Sequence, residues 1–112
     1  MLPSEESHDK GDTMNLPVVA INVYSVPKEK EEEFLMWWHE MKQTIIEVPG
    51  FISGRLHRSL EPDAEFNFVN VAEWKNSLYC QRYEDSIRAM KTKLADSGIK
   101  ATPAMFGIYM SY

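Results

Sequence analysis

The chain has 112 residues and a mass of 13.0 kDa, which suits one domain with a hydrophobic core and is too short for two lobes around a cleft. Its 17 acidic residues outnumber 12 basic ones, and the basic residues are scattered along the sequence. This charge pattern argues against a nucleic-acid partner. The sequence therefore predicts a small acidic domain whose pocket lies inside the domain or between subunits.

Residues 1–15 are rich in charged residues and poor in apolar ones, so we expect a disordered N-terminal tail followed by a folded domain over residues 16–112. The start of the chain lacks the basic and apolar segments of a secretory signal. No stretch approaches the roughly 20 apolar residues of a membrane span. We therefore expect a cytoplasmic protein with no membrane partner.

The sequence lacks the common motifs of metal and nucleotide sites. Its single cysteine, Cys80, cannot form an internal disulfide, and His8, His39 and His57 are too far apart to form a metal-ligand motif. Neither a glycine-rich phosphate loop nor a G-x-S-x-G or G-x-G-x-x-G pattern is present. If the protein is an enzyme, we expect it to work without a metal or a nucleotide.

Two segments, residues 18–26 and 66–74, alternate strictly and are predicted to be strands with apolar side chains on both faces. Each carries polar atoms on a face that should be buried, namely Asn22 in the first and Asn70 and Trp74 in the second. A buried polar group without a partner costs roughly 1 to 3 kcal/mol. A neighbouring backbone group would satisfy these side chains as well as a bound ligand would, and both interpretations remain open.

The segments between these strands complete the predicted order of elements. A helix is expected from Pro27 to about Glu47, with Phe34 and Trp38 in its apolar stripe. Residues 51–60 are predicted to form a strand that pairs through a turn with residues 66–74 as a hairpin. The turn leaves the register of this hairpin open by one residue, so the sheet face of His57 is undecided.

The C-terminal third is predicted to contain one helix and one strand. Asn76 or Ser77 can cap a helix that runs to about Asp96, with Tyr79 and Tyr83 on one of its faces. Residues 104–112 alternate as a final strand.

This order of elements is the βαββαβ plan of an α+β, ferredoxin-like fold, with a four-stranded antiparallel sheet and both helices on one face. The other sheet face is also apolar, and no further helix is predicted to cover it. A homodimer that packs sheet against sheet is the simplest way to bury it.

Several motifs together resemble the antibiotic biosynthesis monooxygenase domains of the dimeric α+β barrel group. The resemblance covers residues 18–112 and rests on five segments: residues 21–24 (INVY), 30–34 (KEEEF), 48–53 (VPGFIS), 55–60 (RLHRSL) and 70–74 (NVAEW). It implies a homodimer that oxidises a small polycyclic aromatic substrate, such as an anthrone or phenol, to a quinone. Molecular oxygen would be the co-substrate, with no other cofactor.

The resemblance also assigns residues. Asn70 and Trp74 match an Asn and a Trp that are tied to activity in quinone-forming members, and Asn22 matches an Asn of related haem-degrading enzymes. Two positions depart from the pattern. Asp85 stands where haem-degrading relatives have an iron-binding His, and Cys80 stands where quinone-forming members have a Tyr.

The candidate catalytic residues are therefore Asn70, Trp74 and, if its side chain faces the pocket, His57 as a base. The candidate substrate contacts share an amide or an aromatic ring and are Asn22, Tyr24, Phe34, Trp38, Phe68, Tyr79 and Tyr83. Three other functions remain open: a haem-binding or haem-degrading protein, a non-oxidative isomerase or cyclase, and a non-catalytic dimer that binds aromatic ligands.

Overall fold

The computed structural model describes residues 16–112, and the predicted N-terminal tail lies outside the described residues. The elements, in chain order, are β1 (Val18–Ser25), a short 3-10 helix (Lys28–Lys30), α1 (Glu31–Ile45), β2 (Phe51–Arg58), β3 (Phe68–Trp74), α2 (Ser77–Ser86), α3 (Arg88–Asp96) and β4 (Lys100–Gly107). The strands form one antiparallel sheet in the order β2-β3-β1-β4. The predicted α+β, ferredoxin-like fold is confirmed.

The helices cover the sheet face that β1 and β3 make with alternate residues. Every second residue of β1 is buried, and β3 shows the same alternation. The buried residues pair directly across the two strands: Val18 with Trp74, Ala20 with Ala72, Asn22 with Asn70, and Tyr24 with Phe68. Met41 and Ile45 of α1 and Cys80 and Tyr83 of α2 pack on part of this face. The face predicted to be buried in each strand is therefore the one that faces the helices.

The opposite sheet face carries branched apolar side chains that are half-buried. They are Val19, Ile21, Val23, Val69 and Val71. Phe106 of β4 pairs with Val19 and is 51% exposed. Among the helices of residues 16–112, none has the length and apolarity needed to cross a membrane.

The second predicted helix is interrupted. Ile87, with φ −105° and ψ 10°, separates α2 from α3, although its side chain stays buried in the core. The start of α2 agrees with the prediction, because the Asn76 side chain accepts a hydrogen bond of 3.1 Å from the Tyr79 N–H.

The bounds predicted for the last strand, residues 104–112, are wrong. Gly98, with φ +86°, ends α3, and β4 begins two residues later at Lys100. Gly107 pairs with Val18, the first residue of β1, so residues 108–112 extend past the end of β1. Pro103 is tolerated inside β4 because an edge strand need not donate from both sides. The hairpin strands are also shorter than predicted, and α1 ends at Ile45.

The turn between α1 and β2 depends on close packing at Gly50. This residue has φ +88°, and a Cβ built on it would lie 2.2 Å from Cγ of Tyr79. The backbone of Gly50 also accepts a hydrogen bond of 2.7 Å from the Lys75 N–H. Gly50 thus joins the start of β2 to the end of β3 and to α2.

We predict that Gly50→Ala lowers the free energy of unfolding by several kcal/mol, because the left-handed backbone and the overpacking each cost about 1 to 3 kcal/mol. Gly107→Ala is the matched control, since no atom lies within 4 Å of its added Cβ. Urea titration of both variants provides the measurement. Equal stability of the two variants would contradict the role given to Gly50.

Candidate functional site

Polar and aromatic side chains collect at the centre of the helix-covered sheet face, in what we call the inner site. It is a space of about 10 Å³ lined by Ala20, Asn22, Tyr24, Trp37, Trp38, Ile45, Asn70, Ala72, Trp74, Tyr83, Glu84, Ile87 and Lys91. Asn22 and Asn70 stand side by side on β1 and β3, and each is 6% exposed. Ala20 and Ala72 are the next pair along these strands. Their short side chains leave room for the rings that come from the helices.

The inner site contains an indole N–H with no acceptor. Nε1 of Trp38 is buried and has no hydrogen-bond partner among the described residues. Such groups are rare in folded proteins, because leaving one unpaired costs about 1 to 3 kcal/mol. The Trp38 ring is held by edge contacts to Trp37, at 5.5 Å between ring centroids, and to Tyr24, at 6.2 Å. The unpaired N–H therefore sits in a ring whose orientation is fixed by packing.

Trp74 is fixed by packing as well. It is 1% exposed, and its ring lies 5.2 Å from that of Tyr83 and 5.4 Å from that of Phe51. Its position opposite Val18 places the indole at one end of the inner site.

An ion pair that the sequence analysis missed closes one side of the inner site. Nζ of Lys91 donates to a carboxylate oxygen of Glu84 and, at 3.4 Å, to Oδ1 of Asn22. The side chains of Lys91 and Glu84 are only 18% and 19% exposed. Lys91 and Asn22 are 69 residues apart in sequence, so no local pattern could have joined them.

The buried phenols and the buried thiol at and near the inner site stay protonated. Burial raises the pKa of Tyr24 and of Tyr83 well above the ordinary value for a phenol, and negative charge at Glu84 raises both further. The pKa of Cys80 is raised to about 11, mainly by burial. The two phenols therefore remain neutral hydrogen-bond donors at physiological pH.

A larger space, the α1–β2 cavity, adjoins the inner site. It measures about 520 Å³ and is lined by Leu35, Trp38, His39, Lys42, Ile45, Ile46, Phe51, Ser53, Gly54, Leu56, Asn70 and Ala72. Trp38, Asn70 and Ala72 belong to both spaces. The mostly apolar walls meet the polar inner site at these residues. A planar molecule in the cavity would place one edge against Trp38 and Asn70.

A third space, the α2–β4 cavity, lies on the other side of the inner site. It measures about 310 Å³ and is lined by Ala20, Gln81, Glu84, Arg88, Lys91, Pro103, Ala104 and Met105. Ala20, Glu84 and Lys91 also line the inner site. The Glu84–Lys91 ion pair therefore lies between the inner site and the α2–β4 cavity.

The structure brings six of the ten candidate residues to the inner site and leaves four outside. The six are Asn22, Tyr24, Trp38, Asn70, Trp74 and Tyr83. Phe34 and Phe68 are fully buried beside Tyr24 in a second core cluster, so they support the site and do not line it. The Tyr79 ring packs on Gly50 instead of sharing a space with Tyr83.

His57 lies on the sheet face opposite the site. Its neighbour Leu56 pairs with Asn70 and lines the α1–β2 cavity, so His57 points to the other face. Its Nδ1 lies 3.2 Å from the carbonyl oxygen of Val69, and the side chain is exposed. To act as the base, His57 would have to face the pocket, and its side chain does not. The hairpin register, which the sequence left open, decides this.

Residues 17–89 match the family model of the antibiotic biosynthesis monooxygenases, and this match covers more than half of the chain. The chain belongs to this family. No curated protein sequence matches it.

Three solved structures share the fold. A protein of Shewanella loihica PV-4, provisionally named a monooxygenase, is 26% identical, with a TM-score of 0.74, and the alignment covers 88% of this chain and 99% of that one. SnoaB, a cofactor-independent oxygenase of Streptomyces nogalater, is 20% identical over 85% of this chain and 95% of its own, with a TM-score of 0.61. The haem-degrading protein Rv3592 of Mycobacterium tuberculosis is also 20% identical, over 87% and 99%, with a TM-score of 0.63. Proteins with this fold thus include a cofactor-independent oxygenase and a haem-degrading protein.

The raised pKa of Cys80 predicts a thiol that resists modification. Because the reactive form is the thiolate, a thiol reagent should label native Cys80 slowly at pH 8 and faster only as the pH approaches about 11. Protein unfolded in urea, with an ordinary thiol pKa, should react at once under the same conditions. Rapid labelling of the native protein at pH 8 would contradict the burial of Cys80.

Proposed function

We propose that this protein is a cofactor-independent monooxygenase that oxidises an anthrone-like or phenol-like aromatic polyketide to a quinone with molecular oxygen. The observation that carries the proposal is the buried Trp38 N–H, which has no partner among the described residues and belongs to a side chain that lines both the inner site and the apolar α1–β2 cavity. The family match and the likeness to a cofactor-independent oxygenase support the same reaction class.

The α1–β2 cavity suits a flat, largely apolar substrate. Its volume of about 520 Å³ falls within the usual range for small-molecule sites. The walls from α1 and β2 are mainly apolar, while Asn70 and Trp38 provide polar atoms at the inner end. We infer that the rings lie in the cavity and that an oxygen substituent points to the inner site.

The proposed reaction balances without an added reductant. An anthrone loses a proton from its CH₂ carbon to solvent water before it is enclosed, and the resulting anion, held in the site, passes one electron to O₂. The two radicals combine to a carbon–oxygen bond, and the peroxide takes up a proton. Loss of water then converts that carbon to a carbonyl, so one oxygen atom enters the quinone and the other leaves as water.

The protein's part is to stabilise the anion and to exclude water. Donors already in place, among them the amide of Asn70 and the indoles of Trp38 and Trp74, would lower the energy of negative charge on the substrate oxygen. Tyr24 and Tyr83 stay protonated and add neutral O–H donors. None of these groups has to change its charge during the reaction.

The residues do not fit a haem whose iron is bound at position 85, where haem-degrading relatives have a His and this chain has Asp85. The Asp85 carboxylate is exposed, accepts hydrogen bonds from Arg88 at 2.7 Å and from Gln81 at 3.1 Å, and lines neither the inner site nor the α1–β2 cavity. No step of the proposed reaction involves haem.

The first test is oxygen uptake by metal-stripped, haem-free protein with a model anthrone. Trp38→Phe and Asn70→Ala should each lower the turnover number by a factor of roughly 100 to 1000, as for other donors that meet developing charge. The Michaelis constant should change less, because the lost hydrogen bond matters mainly in the transition state. Trp74→Phe removes the third N–H while keeping an aromatic ring.

Trp38→Phe also separates catalysis from stability. Its N–H has no partner among residues 16–112, so no hydrogen bond within that part of the fold is lost, and we expect a small change in melting temperature. A large loss of stability with unchanged turnover per folded molecule would contradict the proposal. Conversion of the anthrone without oxygen uptake would instead indicate a non-oxidative enzyme, and binding without conversion a ligand-binding protein.

We also propose a homodimer in which the half-buried face of the sheet packs against the same face of a second copy. That face presents Val19, Ile21, Val23, Val69 and Val71 on adjacent strands. A contiguous apolar surface of this kind is unusual on a monomer. The isologous contact of a two-fold dimer would bury it on both copies.

Sedimentation should give a particle of twice 13.0 kDa at micromolar concentration. Ile21→Glu places a charge at the centre of the proposed interface and should shift the protein to the monomer. Met36→Glu is the matched control, because Met36 is 68% exposed on α1. A wild-type monomer, or a dimer that Ile21→Glu leaves intact, would contradict this interface.

A further inference from the structure

Lys91 fixes which way the Asn22 amide points. An ammonium group has three N–H donors and no acceptor, so the atom of Asn22 that faces Lys91 must be the oxygen. The contact is 3.4 Å from Nζ to Oδ1. The Asn22 N–H₂ group therefore lies on the other side of the amide. Lys91 lines the α2–β4 cavity with Pro103 and Met105 of β4, the strand on the other side of β1 from β3.

Glu84 holds Lys91 in this position. Its carboxylate binds the same ammonium group, and both side chains are about four-fifths buried. Breaking such a pair from one side is costly, because it leaves a partly buried charge without a partner. The other charged residue of the α2–β4 cavity, Arg88, is engaged with Asp85. The Glu84–Lys91 pair is thus a fixed wall of the inner site.

Two residues that line the inner site, Trp38 and Asn22, then carry N–H groups that make no hydrogen bond to another described residue. One is the Trp38 indole N–H, which has no partner among the described residues. The other is the Asn22 N–H₂ group, whose amide uses only its oxygen for Lys91. Donors that line one small space and lack an acceptor match an oxygen atom that carries negative charge.

We propose that Lys91, held by Glu84, is a positioning residue that orients the Asn22 amide so that its N–H₂ group and the Trp38 N–H together bind the anionic oxygen of a phenolate or enolate. This inference rests on the proposed function. It adds that the site selects the ionised form of the aromatic ligand. Lys91 acts through Asn22 and need not touch the ligand.

The test uses 2-hydroxyanthraquinone, whose absorption spectrum distinguishes the phenol from the phenolate. Wild-type protein should bind the phenolate in preference, so the bound dye should ionise at a lower pH than the free dye. Lys91→Met should lower the bound phenolate-to-phenol ratio at fixed pH by about tenfold, equivalent to one pKa unit. Lys91→Arg keeps a donor for Asn22 and should retain most of the preference.

The effect of charge must be separated from the effect of the Asn22 amide orientation, because Lys91→Met leaves the Glu84 carboxylate unpaired beside the ligand. The double variant Glu84→Gln/Lys91→Met removes both charges, relieves any folding defect from the unpaired carboxylate, and should still lose the preference. Lys93→Met is the matched control, since Lys93 lies two residues along α3 and is exposed. The proposal would be overturned if Lys91→Met or the double variant kept the wild-type ratio of bound phenolate to phenol. It would also be overturned if Lys91→Arg lowered this ratio as much as Lys91→Met does.

A double-mutant cycle decides whether Lys91 acts through Asn22. In the Asn22→Ala background, Lys91→Met should have no further effect on the dye ratio, because the amide that it orients is gone. Additive effects would instead show that the ammonium acts directly on the ligand, and would overturn the positioning role. The dye needs no turnover, so a protein that shows these results but consumes no oxygen would refute the proposed function and leave this inference standing.

Discussion

The structure depends on a pair of asparagines placed opposite each other in the two central strands. Asn22 and Asn70 are neighbours across β1 and β3, buried beneath the helices, with the Ala20–Ala72 pair beside them. Ordinary core residues at these four positions would fill the space between sheet and helices. Small and polar residues instead leave room there for rings from the helices and supply the centre of the core with hydrogen-bonding groups. The cavities and the placement of the tryptophans follow from this choice, because Trp38 and Tyr83 extend from the helices into that space.

The sequence predicts this arrangement to the extent that it depends on local periodicity. The strict alternation of residues 18–26 and 66–74 identified Asn22, Asn70 and Trp74 as lying on the covered face, and the Asn76 cap followed from its place before an apolar helix. These features need only the chain's own dihedral preferences and the burial of one face. The order of these elements predicted the ferredoxin-like fold, and the family resemblance agrees with it.

Other features depend on how distant segments align, and local patterns carry no signal for them. The face of His57 is set by the pairing of Leu56 with Asn70, and β4 ends at Gly107 because β1 begins at Val18. Lys91 is a further case, since its partner lies on the first strand. A lysine at helical spacing is usually solvated, so only the tertiary contact distinguishes it.

The inner site combines a high density of donors with a lack of groups that change charge near neutral pH. Tyr24 and Tyr83 are held protonated, and the one charged pair, Glu84 with Lys91, is neutral in sum. Such a site is poorly suited to shuttling protons and well suited to holding an anion that forms on the ligand itself. This is the requirement of a reaction in which the substrate supplies the electrons for oxygen. The buried polar groups lower the free energy of unfolding of the free protein. A ligand oxygen that accepts their hydrogen bonds recovers that free energy on binding, and the gain is largest when the oxygen is charged.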